Sequence, residues 1–151
     1  MPLPKTETLV GEATTETLAK IAAFLSEHHL LTLATSYENS PQCSNLFYTY
    51  LPDKQFFVVA SDKDTEHMRN VLSNSHVAGS VALETKTVGK IQGVQFKGVM
   101  EKASSTDASA YLKAFPYARA MNPTLWTIRL KEMKLTDNRL GFGKKLIWTS
   151  G

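Results

Sequence analysis

Between positions 30 and 60 three apolar stretches follow one another with only turn chemistry between them. Residues 30–36 form an apolar run that includes Thr32 and Thr35, and threonine favours extended backbone. Residues 37–42, YENSPQ, carry the Asn, Ser and Pro of a turn. Residues 43–51 then alternate, with Leu46, Tyr48 and Tyr50 on one face and Cys43, Asn45, Phe47 and Thr49 on the other. Pro52, Asp53 and Lys54 return the chain into an apolar stretch at 56–60. Connections this short join antiparallel strands, since a parallel crossover needs a dozen or more residues.

The same pattern continues through the second half. Strands are expected at 76–85, 92–102, 125–136 and 140–149. In residues 92–102, Val94, Phe96 and Met100 face inward, while Gln95, Lys97 and Glu101 face outward. Gly79 suggests a bulge, and Gly93 and Gly98 suggest a close neighbour. Trp126, Ile128 and Leu130 set one parity and Met133 and Leu135 the other, so a bulge is expected near Lys131 and Glu132. Helices are expected at 14–29, on the spacing of Leu18, Ile21, Ala22 and Leu25, at 66–72, and from Ser105 or Thr106 to 115. Residues 1–12, with two prolines, look like a loose arm. The expectation is an α+β fold of one domain, a six- to seven-stranded antiparallel barrel, closed or partly closed to hide its edges, with three peripheral helices.

Where the stretch at 56–60 gives way to the helix at 66, a polar corner holds Ser61, Lys63, Thr65 and His67. A strand that runs into a helix N-terminus presents free N–H groups and the positive dipole end, which suits an anion. Asp62, Asp64 and Glu66 oppose that use and equally suit a capped first turn, with Asp64 or Thr65 as the N-cap.

Composition narrows the function classes. The chain has 151 residues, a single cysteine, Cys43, and no apolar run of membrane-spanning length. No internal disulfide or thiolate metal cluster can form, and a reducing cytoplasm is the expected compartment. Residues 1–75 hold five Lys/Arg against nine Asp/Glu, and residues 76–151 hold twelve against five. The basic half suits a phosphorylated ligand or the acidic half of a second copy. It contains no dense Lys/Arg run interleaved with aromatics, so nucleic acid is not the expected partner.

Other constellations fail on spacing. His28 and His29 point about 100° apart on a helix and have no third ligand nearby, so no metal is expected. The run from Gly141 to Lys145 lacks the first glycine and the Ser/Thr of a phosphate loop. No G-x-S-x-G elbow occurs, and Cys43, in an apolar strand, reads as an inert buried thiol.

Four stretches carry a resemblance: SPQCSNLFYTYLPDKQFFVVAS (40–61), DTEHMRNVLSNSHVAGSV (64–81), IQGVQFKGVM (91–100) and LTDNRLGFGKKLIW (135–148). Together they resemble the FMN-binding split barrels of the pyridoxamine 5′-phosphate oxidase superfamily. The last two look closest to its uncharacterised YhbP-type bacterial branch. The likeness implies a split β-barrel, a homodimer, and FMN as cofactor in a cleft between subunits. It implies that Ser44 and Asn45 lie along the flavin ring and that Ser61 sits beside the cofactor. Thr65 and His67 would face the phosphate, with Lys63 as the fixed charge. Gln95 and Lys97 would line the far wall, with Lys144 and Lys145 behind them. Relatives that bind FMN tightly carry Arg or Lys at the positions of Thr65 and His67. The implied grip is therefore a protonated His67, cations from the partner subunit, or weak binding. The implied function is a flavin-dependent oxidoreductase acting on a small molecule. The alternative is a non-catalytic dimer that holds FMN weakly, or another planar ligand, as a sensor or carrier. A haem- or deazaflavin-binding relative is a third form.

Overall fold

The computed structural model describes residues 6–8, 12–141 and 144–151. Among the described residues eight strands and three α-helices run in the order β1 (Thr6–Thr8), α1 (Glu12–Ser26), β2 (Leu30–Tyr37), β3 (Ser40–Leu51), β4 (Phe56–Ala60), α2 (Glu66–Ser73), β5 (His76–Ala82), β6 (Gln92–Lys102), α3 (Ser105–Ala114), β7 (Leu125–Asp137) and β8 (Lys145–Thr149). Short 3-10 turns occupy Val88–Lys90, Pro116–Met121 and Asn138–Leu140.

Six of these strands close into a ring. β7, β4, β3, β2, β5 and β6 are neighbours in that order, and β6 pairs back onto β7. β7 makes this possible by its length. Residues 125–129 pair with β4, residues 132–136 pair with β8, and the opposite edge pairs with β6 throughout. The barrel is therefore split, with β8 continuing where β4 leaves off. The seven expected strands are antiparallel, and the short β1 adds to β8 in parallel. Most of the expected loose arm lies outside the described residues.

The inward residues follow the expected alternation. Leu31, Leu33, Tyr48, Phe57, Val94, Phe96, Ile128 and Met133 are buried in one core. The bulge falls where the parity slip predicts it: Lys97 pairs with Glu132 and Gly98 with Leu130, so Lys131 is the extra residue. Gly79 makes no bulge. It pairs regularly with Leu33 and Phe96, and a Cβ there would come 2.2 Å from the Thr32 carbonyl oxygen and 2.4 Å from the Phe96 ring. Its role is to let that ring pass. β3 also starts earlier than expected, at Ser40. Glu38 and Asn39 have φ of 49° and 64°, the two left-handed positions of a tight hairpin turn, so the reversal needs two residues and not six.

The helices cover what the barrel leaves open. α1 closes one mouth with Ile21, Phe24 and Leu25, and α2 closes the other with Met68 and Val71. α3 lies outside the wall, where Tyr111 packs on Val58 and Leu125 and Asp107 holds Lys54 at 2.8 Å. α1 ends at Ser26, before the two histidines. His28 instead rests against Phe24, and His29 stacks on Phe47. Among the described residues no helix is long and apolar enough to cross a membrane, and no group of three His, Cys, Asp or Glu side chains could hold a metal ion.

Candidate functional site

The polar corner is built by the end of β4 and the start of α2. Thr65 is the N-cap, with its hydroxyl accepting from the N–H of Met68 at 3.3 Å and donating to the carbonyl of Asp62 at 2.8 Å. Capping satisfies one first-turn amide and leaves those of Glu66 and His67 for water or a ligand. Ser61 continues β4 and is fixed through its backbone: its N–H donates to Thr124 and its carbonyl accepts from the indole of Trp126 at 2.9 Å.

His67 turns back from α2 onto this frame. Its Nε2 lies 2.5 Å from the Ser61 hydroxyl and 3.2 Å from that of Thr65. The Thr65 proton is committed to Asp62, so the Thr65 contact needs a hydrogen on Nε2, and with that hydrogen in place the Ser61 hydroxyl accepts from it. Burial of the ring holds its pKa below the usual histidine value. The free corner therefore favours a neutral His67 engaged by its own neighbours.

The three carboxylates oppose an anion less than the sequence suggests. Glu66 turns toward β3 and accepts from the Gln42 amide at 3.1 Å. Asp62 accepts the N–H of Asp64 at 2.9 Å, which shapes the loop. Arg69 also reaches back over the corner, its guanidinium donating to the Asp64 carbonyl at 2.9 Å. Sequence reasoning counted Lys63 as the fixed charge here and passed over Arg69, which stands outside the loop. Its spacing of five residues from Asp64 was the available signal, since a side chain one turn into a helix lies beside the cap. A cavity of about 400 Å³ opens on this corner between Ser61 and Lys63 on one side and Met121, Asn122 and Pro123 on the other. The Met121–Pro123 wall comes from the connection before β7 and had no sequence signal.

The remaining expected site residues divide by face. Ser44 pairs with Leu33 and lies on its inward parity. The Ser44 hydroxyl is buried without a hydrogen-bond partner among the described residues. Such a group costs about 1–3 kcal/mol if nothing pairs with it. Asn45 faces out, and its side-chain oxygen accepts from Thr32 at 3.0 Å. Along the pairing register, Asn45, Thr32, Ser80 and Gln95 form one outward row, and Cys43, Ala34, Ala78 and Lys97 form the next. Three strand spacings separate Asn45 from Gln95, roughly 14 Å. Gln95 and Lys97 flank a shallow cavity of about 460 Å³ over small residues of this wall. The chain thus brings Ser61, Lys63, Thr65 and His67 together, and sets Gln95 and Lys97 on the barrel exterior, with no hydrogen bond joining the two groups among the described residues. Cys43 is an exposed free thiol, not the buried one expected.

The sequence and this architecture match known proteins. The family model described as pyridoxamine 5′-phosphate oxidase matches residues 17–137. A UPF0306 protein of Klebsiella pneumoniae is 42% identical over 137 residues, covering 88% of this chain and 93% of that protein. The UPF0306 protein YhbP of Escherichia coli is 39% identical over 140 residues, covering 90% and 95%. Among solved structures, a heme binding protein from Mycobacterium smegmatis superposes with a TM-score of 0.69 at 20% identity, over 93% of this chain and 59% of that one. A FAD-binding protein from Mesorhizobium loti gives 0.61 at 13% identity, over 76% and 88%. With a barrel closed through β6 and β7 and sequence identity running across nearly its whole length, the chain belongs to the pyridoxamine 5′-phosphate oxidase family, in the UPF0306 group typified by YhbP.

Proposed function

We propose that this protein binds FMN in a cleft shared by two copies and acts as an oxidoreductase on a small molecule. The observation that carries the reading is the donor set at the β4–α2 corner: the Lys63 ammonium, the Arg69 guanidinium and the first-turn amides of Glu66 and His67. These groups suit a phosphate dianion, which seeks charge-assisted donors. Ser61 and Asn45 would orient the ring, whereas Ser44, whose hydroxyl is buried on the inward face of β3, stands away from it. When bound, the flavin supplies the electron transfer, and no protein acid or base is obligatory. The chain's own part is to bind, orient and exclude water.

The second copy enters by geometry. Gln95 and Lys97 lie on the exterior wall, roughly 14 Å across the sheet from Asn45 by strand spacing. They line the cofactor cleft only when supplied by a partner. The small side chains around them, Ala34, Ala78 and Ser80, allow such an approach.

One observation favours a second reading. Nε2 of His67 is already engaged by Ser61 and Thr65, and the ring favours its neutral form. The phosphate grip then rests on two exposed cations, and a non-catalytic dimer that holds FMN or another planar ligand weakly fits that grip. Relatives by fold that bind haem or FAD make the choice of ligand the point to test.

The deciding measurement is a visible absorption spectrum after adding FMN and desalting, with light scattering at micromolar concentration. Retained flavin absorption and a mass of twice the chain are expected. A monomer that retains no flavin overturns the reading. Weak, titratable FMN binding by a dimer supports the carrier form.

A further inference from the structure

A cavity of about 630 Å³ lies away from this corner, between α1, the end of β3 and the end of α3. α1 touches the barrel near the start of β6, at the mouth opposite α2, so the two sites sit at different ends of the barrel. The volume is within the usual span for small-molecule pockets.

Its lining is specific in three ways. Ala19 and Ala22 leave one side of α1 without bulk, which makes a flat floor. Phe115 supplies the facing wall, and it continues into an aromatic rim: Phe47 lies 5.8 Å from Phe115 and 5.9 Å from His29 by ring centroids. Among the described residues no Asp, Glu, Lys or Arg lines the cavity, and its ring nitrogens are those of His28 and His29. An unpaired ion is costly to bury there, whereas a flat apolar ring finds stacking surfaces.

Tyr50 adds a polar handle. Its ring is held against Phe57, and its hydroxyl makes no hydrogen bond to another described residue. Burial pushes its pKa up to about 12, so the phenol stays protonated and available as a donor. The neighbouring Tyr48 differs, because its hydroxyl is spent on the carbonyl of Leu25 at 2.8 Å. One tyrosine is thus structural and the other open.

We propose that this cavity is a second ligand site, for an uncharged planar aromatic compound carrying an oxygen that accepts a hydrogen bond from Tyr50. The site stands on its own geometry and does not depend on what occupies the β4–α2 corner.

The test uses 2-naphthol as the probe, titrated calorimetrically into the full chain at mildly alkaline pH, where histidine is neutral. One saturable site per chain is expected. Ala19 is exposed, so Ala19→Phe fills the mouth without disturbing the core, and it should weaken binding by about tenfold or more. Tyr50→Phe keeps the ring, removes the donor and should weaken binding severalfold while leaving the melting temperature near wild type. Naphthalene-2-carboxylate should bind about tenfold more weakly, and excess FMN should not compete. Absence of saturable binding, indifference to both substitutions, equal affinity for the carboxylate, or displacement by FMN would each overturn the proposal.

Discussion

Ser61 Oγ and His67 Nε2 approach to 2.5 Å across the junction of β4 and α2. The contact ties this corner to the proton balance of the fold. His67 has a lowered pKa through burial, against 6.5 for the ordinary group. The unfolded chain therefore takes up this proton first as pH falls. The contribution to stability is complete above about pH 6.5 and is lost as pH drops through the folded-state value. Thermal melts across this window should show wild type losing stability toward acid, with a shallower loss in His67→Gln. Equal slopes would separate the ring from the acid response.

The same corner makes a prediction about anions. Lys63 and Arg69 are the two fixed cations near the α2 start. Replacing both with Ala should weaken FMN binding by roughly tenfold or more, with each single change smaller. A fluorescence titration of FMN reads this directly. Unchanged affinity in the double variant would remove the corner as the phosphate site.

Thr65→Ala tests the frame and not the charge. It removes the N-cap of α2, at a cost of about 1 kcal/mol. It also releases His67 from one of its two hydroxyl partners. The expected result is a lower denaturation midpoint in urea with the overall fold retained.

Gly79 faces a different constraint. A Cβ added there would run into the Thr32 carbonyl and the Phe96 ring, so Gly79→Ala forces β2, β5 or Phe96 to move. Overpacking of this kind costs about 1–3 kcal/mol. A chemical denaturation curve should show that loss. A neutral substitution would mean that the Phe96 ring has room to turn.

Asp137 and Arg139 form a second acid-sensitive pair, with two side-chain contacts of 3.0 and 2.8 Å. The hydrogen bond from Arg139 holds the Asp137 carboxyl below its usual pKa, outweighing desolvation. Because the folded value is depressed, this stability is present above the ordinary carboxylate pKa and is lost as pH falls through the folded one. Asp137→Asn should melt earlier at neutral pH and show a flatter acid limb.

The residues made the strand set legible because alternation is local. Cys43 to Leu51 and Gln92 to Lys102 declare their two faces by period alone, and the slip between Leu130 and Met133 marks the bulge at Lys131. Turn geometry was less legible, since the left-handed pair Glu38 and Asn39 depends on backbone angles that composition only biases. The corner residues Ser61, Lys63, Thr65 and His67 stood out because all four fall within seven consecutive residues, between the end of β4 and the first turn of α2.

What lies between distant segments was not written in any stretch of the chain. Closure of β6 onto β7 brings Lys97 beside Glu132, and no local pattern sets that register. The turning of His67 onto Ser61, the return of Arg69 over Asp64, and the cavity between Ala19 and Phe115 all follow from packing. Side-chain alternation is set by the covalent geometry of each strand. Neighbours across the barrel are chosen by the joint burial of the whole core, which only the folded chain achieves.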